Sequence, residues 1–226
     1  DRSPSRGLGD VYKRQHGGGP QITSHLKKLG IESKFADGMR ITDEDSVHII
    51  ETVLGGLINK DIVKTITALG GKAVGLSGKD GGLIRAKKII GTGEFKDVDF
   101  KNTGTVQSID PEVVNLLDGS AFIPVIAPIG IGDDGETYNI NADIVAGKIA
   151  HILQASKYII LTDTKGILDS EEKLIQSINT EGVKGLIKTG IISKGMLPKV
   201  NSALEAVSSG VEHLSLIHIS EPTRRT

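Results

Sequence analysis

The chain has 226 residues, 38% hydrophobic and 24% charged, with 27 Lys+Arg against 28 Asp+Glu and a formal net charge of −1. That length can bury a core as one large domain or two lobes, and the balanced charge lacks the basic excess that a nucleic-acid partner requires. Without Cys, disulfides, thiolate nucleophiles and sulfur-bound metals are excluded.

Residues 1–15 (DRSPSRGLGDVYKRQ) mix basic residues, glycines and a proline with no helical or strand period. They are set aside as a non-native segment resembling translated adapter, as are residues 214–226. The body is then one domain over residues 16–213. No secretory signal is visible in residues 1–15, and no stretch approaches the about 20 apolar residues of a membrane span, so a cytoplasmic protein is expected.

The body opens on His16-Gly17-Gly18-Gly19-Pro20. A glycine loop of this kind normally leaves the end of a strand, and the sequence shows none, so the first strand is expected to be missing. Residues 21–29 place Ile22, Leu26 and Leu29 on one helical face. Thr42 begins a capping signature, with Asp43, Glu44 and Asp45 in the first turn, where the helix dipole favours negative charge. Val47, Ile50, Val53 and Leu54 continue the helical spacing. Gly55-Gly56 weakens that helix or admits a closely packed neighbour, residues 61–69 resume it, and Gly70-Gly71 ends it.

A buried strand is expected at 73–76, a turn at 78–82, a more exposed strand at 83–88 and a further short pair at 104–109. Asp110-Pro111 caps a helix to about residue 117. Strands follow at 122–127 and 158–162, with helices from 141 or 142 to 153, at 180–188 and at 197–208. The run YIILT at 158–162 is apolar on both faces, which points to a mostly parallel sheet covered by helices, with ligands gathering at its carboxyl ends.

Two glycine patterns are decoys. Residues 130–135 (GIGDDG) satisfy G-x-G-x-x-G, but two aspartates stand where a pyrophosphate would approach and no amphipathic helix follows, so a turn is expected. GLSGKD at 75–80 approaches a P-loop without its spacer or its final Ser/Thr. Six histidines include no helical pair with the Glu that zinc sites use, and no metal site is assigned.

Four segments instead share one chemistry: HGGGP at 16–20, YNINAD at 138–143, DTKGIL at 163–168 and GMLPKV at 195–200. Each offers backbone amides, a small polar group or one cation beside a strand end or helix start, where an anion is favoured. Singly, Asp143 could be a helix cap, Arg40 a surface ion-pair partner, Asn139 a turn residue and Lys199 a solvated lysine.

Together with DGMRIT at 37–42, these segments resemble the amino-acid kinase family, and within it the members acting on N-acetyl-L-glutamate. The resemblance spans residues 16–213 and implies a three-layer αβα sandwich around a mostly parallel sheet. It implies transfer of the γ-phosphoryl group of ATP, with Mg²⁺, to the side-chain carboxylate of N-acetyl-L-glutamate in arginine biosynthesis. Gly18 and Gly19 would present amides to the phosphoryl group and substrate, Arg40 would grip the α-carboxylate, and Asn139 would bond the acetylated end. Asp143 would orient cationic groups or the metal, and Lys199 would neutralise phosphoryl charge. Asp163, Thr164, Lys165, Gly166, Ile167 and Leu168, with Ile191, Ile192 and Ser193, would hold the nucleotide.

The resemblance also implies a homodimer. A second phosphoryl-stabilising lysine of the family should precede His16 and has no match, so the chain as written is expected to be a poor or inactive catalyst. A relative acting on another carboxylate or on carbamate, and a non-catalytic nucleotide-binding module, are the competing readings.

Overall fold

The computed structural model describes residues 14–162, 166–192, 196–208, 210–211 and 213–218. The chain divides into two compact units, Asp1–Val145 and Ala146–Thr226.

In the first unit a two-residue strand, β1 (Arg14–Gln15), enters the glycine loop, and α1 (Gly19–Lys28) leaves it. The place expected to be empty thus holds a short strand, formed by backbone pairing that needs no apolar period: β1 runs parallel to a later strand, with Arg14 opposite Val125 and Gln15 opposite Ile126. Ile22 and Leu26 of α1 are buried, whereas Leu29, past the end of the helix, is 62% exposed. The hairpin β2 (Lys34–Ala36) and β3 (Met39–Ile41) turns at Asp37-Gly38, both with positive φ.

Helix α2 (Glu44–Glu51) is capped by Asp43, whose side chain accepts from the Ser46 amide at 2.9 Å. The cap is therefore one residue later than Thr42, which is wholly buried in a hydrogen-bond network instead. At Gly55-Gly56 the helix widens into a π-helix, Thr52–Ile58, before α3 (Asn59–Ala68) resumes the regular turn. Neither glycine has a packing neighbour where a Cβ would stand, so the pair loosens the helix rather than admitting another element.

β4 (Ala73–Ser77) is half-buried, β5 (Ile84–Ile90) and β6 (Asp99–Ile109) form a long antiparallel hairpin, and α4 (Glu112–Gly119) leads to β7 (Ile123–Ala127). The parallel sheet has the order β1-β7-β4. β8 (Ile129–Gly132) and β9 (Thr137–Ile140) close a barrel with β5 and β6. The G-x-G-x-x-G stretch is the turn of the β8–β9 hairpin, with Gly135 at φ +82 and the Tyr138 hydroxyl donating to Asp134 at 2.7 Å. Burial and that bond push the Tyr138 phenol up to about 12. Ile22 and Leu26 pack with Ile50, Val53, Leu54, Ala127 and Ile129 into a core beneath the glycine loop. The boundary between units falls within α5 (Ala142–Ile152).

In the second unit β10 (Lys157–Thr162) is followed by α6 (Thr180–Lys188) and α7 (Met196–Ser208), and β11 (His213–His218) pairs parallel with β10. β10 is not apolar-buried on both faces: Tyr158, Ile160 and Thr162 are buried, while Ile159 and Leu161 are exposed. β11 runs into the stretch set aside beyond residue 213, because Leu214 and Leu216 pack against the cluster of Ala150, Tyr158, Ile160, Ala203, Ala206 and Val211. Among the described residues no helix is long and apolar enough to cross a membrane.

Candidate active site

The glycine loop owes its position to the carboxyl ends of the parallel strands. The His16 amide donates to the Ile126 carbonyl at 3.3 Å, and the Ile22 amide closes the first turn of α1 onto the Gly18 carbonyl at 2.9 Å. The earlier amides of the helix start are then left for an anion, and Pro20 adds no further donor. A Cβ on Gly18 would come within 2.3 Å of Ile58 Cδ1 and 3.0 Å of Leu54 Cδ2, so only glycine lets the loop lie this close to the π-helix.

A cavity of about 220 Å³ opens at this loop, and Gly18, Gly19, Arg40 and Asn139 all line it. Phe35, Ile89 and Pro128 contribute apolar wall. The volume lies below the roughly 300–1,000 Å³ of clefts that take drug-sized ligands, which suits a small polar acid.

Arg40 is 8% exposed, which excludes a surface ion pair. Its guanidinium donates to Ser33 Oγ, to Thr23 Oγ1 at 2.8 Å and to the Gly19 carbonyl at 3.3 Å, and it stacks 4.6 Å from the Phe35 ring centroid. Among the described residues no carboxylate pairs with it. Burial pushes its pKa below the ordinary guanidinium value, though an arginine stays charged throughout. A buried cation without a counter-charge is costly, and an anion entering the cavity would relieve that cost.

Two buried threonines tie Arg40 to Asn139. Thr103 Oγ1 donates to the Arg40 carbonyl and accepts the Thr42 amide at 3.1 Å, while Asn139 donates from its side-chain nitrogen to Thr42 Oγ1 at 3.1 Å. With one of its two N–H donors committed, Asn139 retains its side-chain carbonyl oxygen as an acceptor. It belongs to β9, not to a turn.

Asp143 does not cap α5. That role belongs to Asn141, whose Oδ1 accepts from the amides of Asp143 at 2.9 Å and Ile144 at 3.3 Å. Asp143 sits half-buried in the first turn, directly after the cavity-lining residues Asn141 and Ala142.

In the second unit Lys199 lies half-buried in the first turn of α7. Gly166 has φ +119, Leu168 bridges to Leu174, and the Ile167 carbonyl accepts from the Ile175 amide at 2.9 Å. Ile167 packs against the core of Val183, Ile192 and Val200, where Ile192 is 4% exposed. The side chains of Ile167 and Ile192 therefore serve the core, which leaves only their backbone for a ligand. Ile191 is exposed, and Asp163, Thr164, Lys165 and Ser193 lie outside the described residues.

Thr23, Ser33, Thr42, Thr103 and Asn59 were not foreseen from the sequence. Small polar residues carry no local signal, and only the fold shows that Thr103 lines the cavity, that Thr23, Ser33 and Thr42 bond its polar residues, and that Asn59 is buried against β4 and β7.

The chain is 50% identical to the acetylglutamate kinases of Chromobacterium violaceum and Alcanivorax borkumensis, covering 89% of this chain and 70% and 71% of theirs. Among solved structures, smu.665 from Streptococcus mutans UA159 superposes with a TM-score of 0.77 at 26% identity, over 91% of this chain and 84% of that one. The model of the amino acid kinase family matches residues 15–218, past both edges of the 16–213 body. This chain belongs to the amino acid kinase family, and its α/β architecture is the fold of that family.

Proposed function

We propose that this chain transfers the γ-phosphoryl group of ATP to the side-chain carboxylate of N-acetyl-L-glutamate. The observation that carries this reading is Arg40, a buried guanidinium without a carboxylate partner among the described residues, in the same small cavity as the glycine loop. The identity to proteins named acetylglutamate kinase supports the choice of acceptor.

In this reading the α-carboxylate of the acceptor meets Arg40, and the Asn139 carbonyl oxygen accepts the acetamido N–H. The apolar wall takes the acetyl methyl group. The side-chain carboxylate then points at the amides of Gly18 and Gly19, where the phosphoryl group arrives. Two unit charges about 4 Å apart repel by roughly 4 kcal/mol at an effective dielectric near 20. The loop amides and the α1 dipole offset that repulsion, while Lys199 is assigned to neutralise phosphoryl charge and Asp143 to orient cationic groups or the metal. A carboxylate is already ionised at neutral pH, so no general base is needed and catalysis is positioning plus charge neutralisation.

The backbone of residues 163–168 and 191–193 is assigned to the nucleotide. Among the described residues no cluster of three His, Asp or Glu could hold a metal. Mg²⁺ bound with the nucleotide phosphates would supply neutralisation of charge on the transferring group.

The test is acceptor-dependent ADP release, with the acyl phosphate trapped by hydroxylamine, for N-acetyl-L-glutamate beside aspartate, glutamate and carbamate. Hydroxamate formed with N-acetyl-L-glutamate alone is the expected result. A preference for any of the other three would overturn the substrate assignment.

A further inference from the structure

Asn59 follows the π-helix directly and has no solvent exposure. Its amide nitrogen, with two N–H donors, faces three groups: the Val125 carbonyl in β7 at 2.8 Å takes one, and the Leu76 carbonyl in β4 at 3.3 Å shares the other with His16 Nε2 at 3.2 Å. Its amide oxygen is buried with no hydrogen-bond partner among the described residues. Gly75 makes the space, since a Cβ there would stand 1.9 Å from that oxygen. A buried acceptor left unmatched is a liability that an apolar side chain would avoid, so the value of Asn here lies in what its nitrogen does.

The two strand carbonyls decide which way the amide faces. A flipped amide would set its oxygen against both of them, so the nitrogen faces the strands and His16 together. His16 Nε2 must then be an acceptor, and the ring proton sits on Nδ1, which is 3.1 Å from the Gly17 carbonyl and donates to it. Because the peptide is planar and trans, holding the Gly17 carbonyl also fixes the direction of the Gly18 N–H. The same helical segment supplies Leu54 and Ile58, which pack against Gly18.

We propose that Asn59 is a positioning residue for the glycine loop, holding His16 in its Nδ1–H tautomer and thereby orienting the Gly17–Gly18 peptide at the cavity. The role rests on the reading of those amides as the phosphoryl cradle. Burial, which pushes His16 below its ordinary pKa against the opposing bond to the Gly17 carbonyl, agrees with a neutral ring.

The experiment records the ring-nitrogen shifts of His16 by ¹⁵N NMR in the unliganded chain, for wild type and for Asn59→Leu, and measures turnover of both. Wild type should show Nδ1 protonated and Nε2 bare. Asn59→Leu should lose that signature and lower kcat by about ten- to a hundredfold, with little change in the KM for N-acetyl-L-glutamate. A Nδ1–H tautomer that persists in Asn59→Leu, or a wild type protonated at Nε2, overturns the proposal. Should Asn59→Leu not fold, His16→Phe keeps the ring and removes both nitrogens: an equal fall in kcat supports the proposal, and wild-type turnover overturns it. The tautomer is read without substrate, so it stands or falls separately from the phosphoryl-transfer reading, which the acceptor preference tests.

Discussion

The two units use their site residues in opposite ways. In the first, Arg40 and Asn139 turn polar side chains into one cavity, and buried threonines hold them there. In the second, the described residues expected at the nucleotide include Ile167 and Ile192, whose side chains build the core. In the proposed reading the acceptor would be recognised by side-chain chemistry, whereas the nucleotide would be met by backbone, with Lys199 as the side chain assigned to the reaction. Substitutions should divide accordingly, with KM effects from the first unit and kcat or stability effects from the second.

The largest effect is expected at Lys199. Lys199→Ala should lower kcat by the order of 10²–10³, the range for losing one transition-state charge stabiliser, with the KM for N-acetyl-L-glutamate little altered. Steady-state kinetics with both substrates varied would show it, and near wild-type kcat removes Lys199 from the reaction. Arg40→Ala should act on the other side of the division, raising the KM for N-acetyl-L-glutamate roughly a hundredfold while the nucleotide KM stays put. Arg40→Lys should not restore it, because three donors on one nitrogen cannot serve Ser33, Thr23, the Gly19 carbonyl and the substrate at once. Unchanged kinetics would break the comparison outright.

How far the sequence discloses this arrangement follows the same division. HGGGP, Arg40 and Asn139 could be singled out only jointly, since each alone has a plain reading, and the fold brings them to one cavity. Alternating helical and strand periods were enough to place most elements, with residues 180–188 matching α6. Three features were not legible. Thr42 looks like a cap because Asp43 and Thr42 are equally good capping residues, and the choice depended on a tertiary partner, Thr103. The run at 158–162 reads as buried on both sides because composition cannot show which face of a strand is covered. Asn59 gives no sign at all, since a polar residue on a helix is ordinarily solvated.

Ile192 sharpens the second half of the comparison. Ile192→Ala should destabilise the chain by about 2–5 kcal/mol through loss of buried surface and the cavity left behind, seen as a lower denaturation midpoint. If nucleotide binding fell while stability held, its side chain would be a ligand contact and the division would fail.

The smallest effect concerns pH. Burial holds the His16 pKa below its ordinary value, the bond to the Gly17 carbonyl opposing, so the unfolded chain binds a proton at that ring more readily than the folded one. Its contribution to stability is full above about pH 6.5 and is lost as pH falls through the depressed folded value. His16→Phe should therefore flatten part of the acid loss in urea midpoints measured between pH 7.5 and pH 5.5, whereas an unaltered slope would mean that His16 titrates alike in both states.

The most direct measurement is a crystal structure with N-acetyl-L-glutamate bound. The account predicts the α-carboxylate on the Arg40 guanidinium, the acetamido group at Asn139 and the side-chain carboxylate facing Gly18 and Gly19. A ligand seated away from Arg40, or one held there with its side-chain carboxylate turned from the glycine loop, would contradict it.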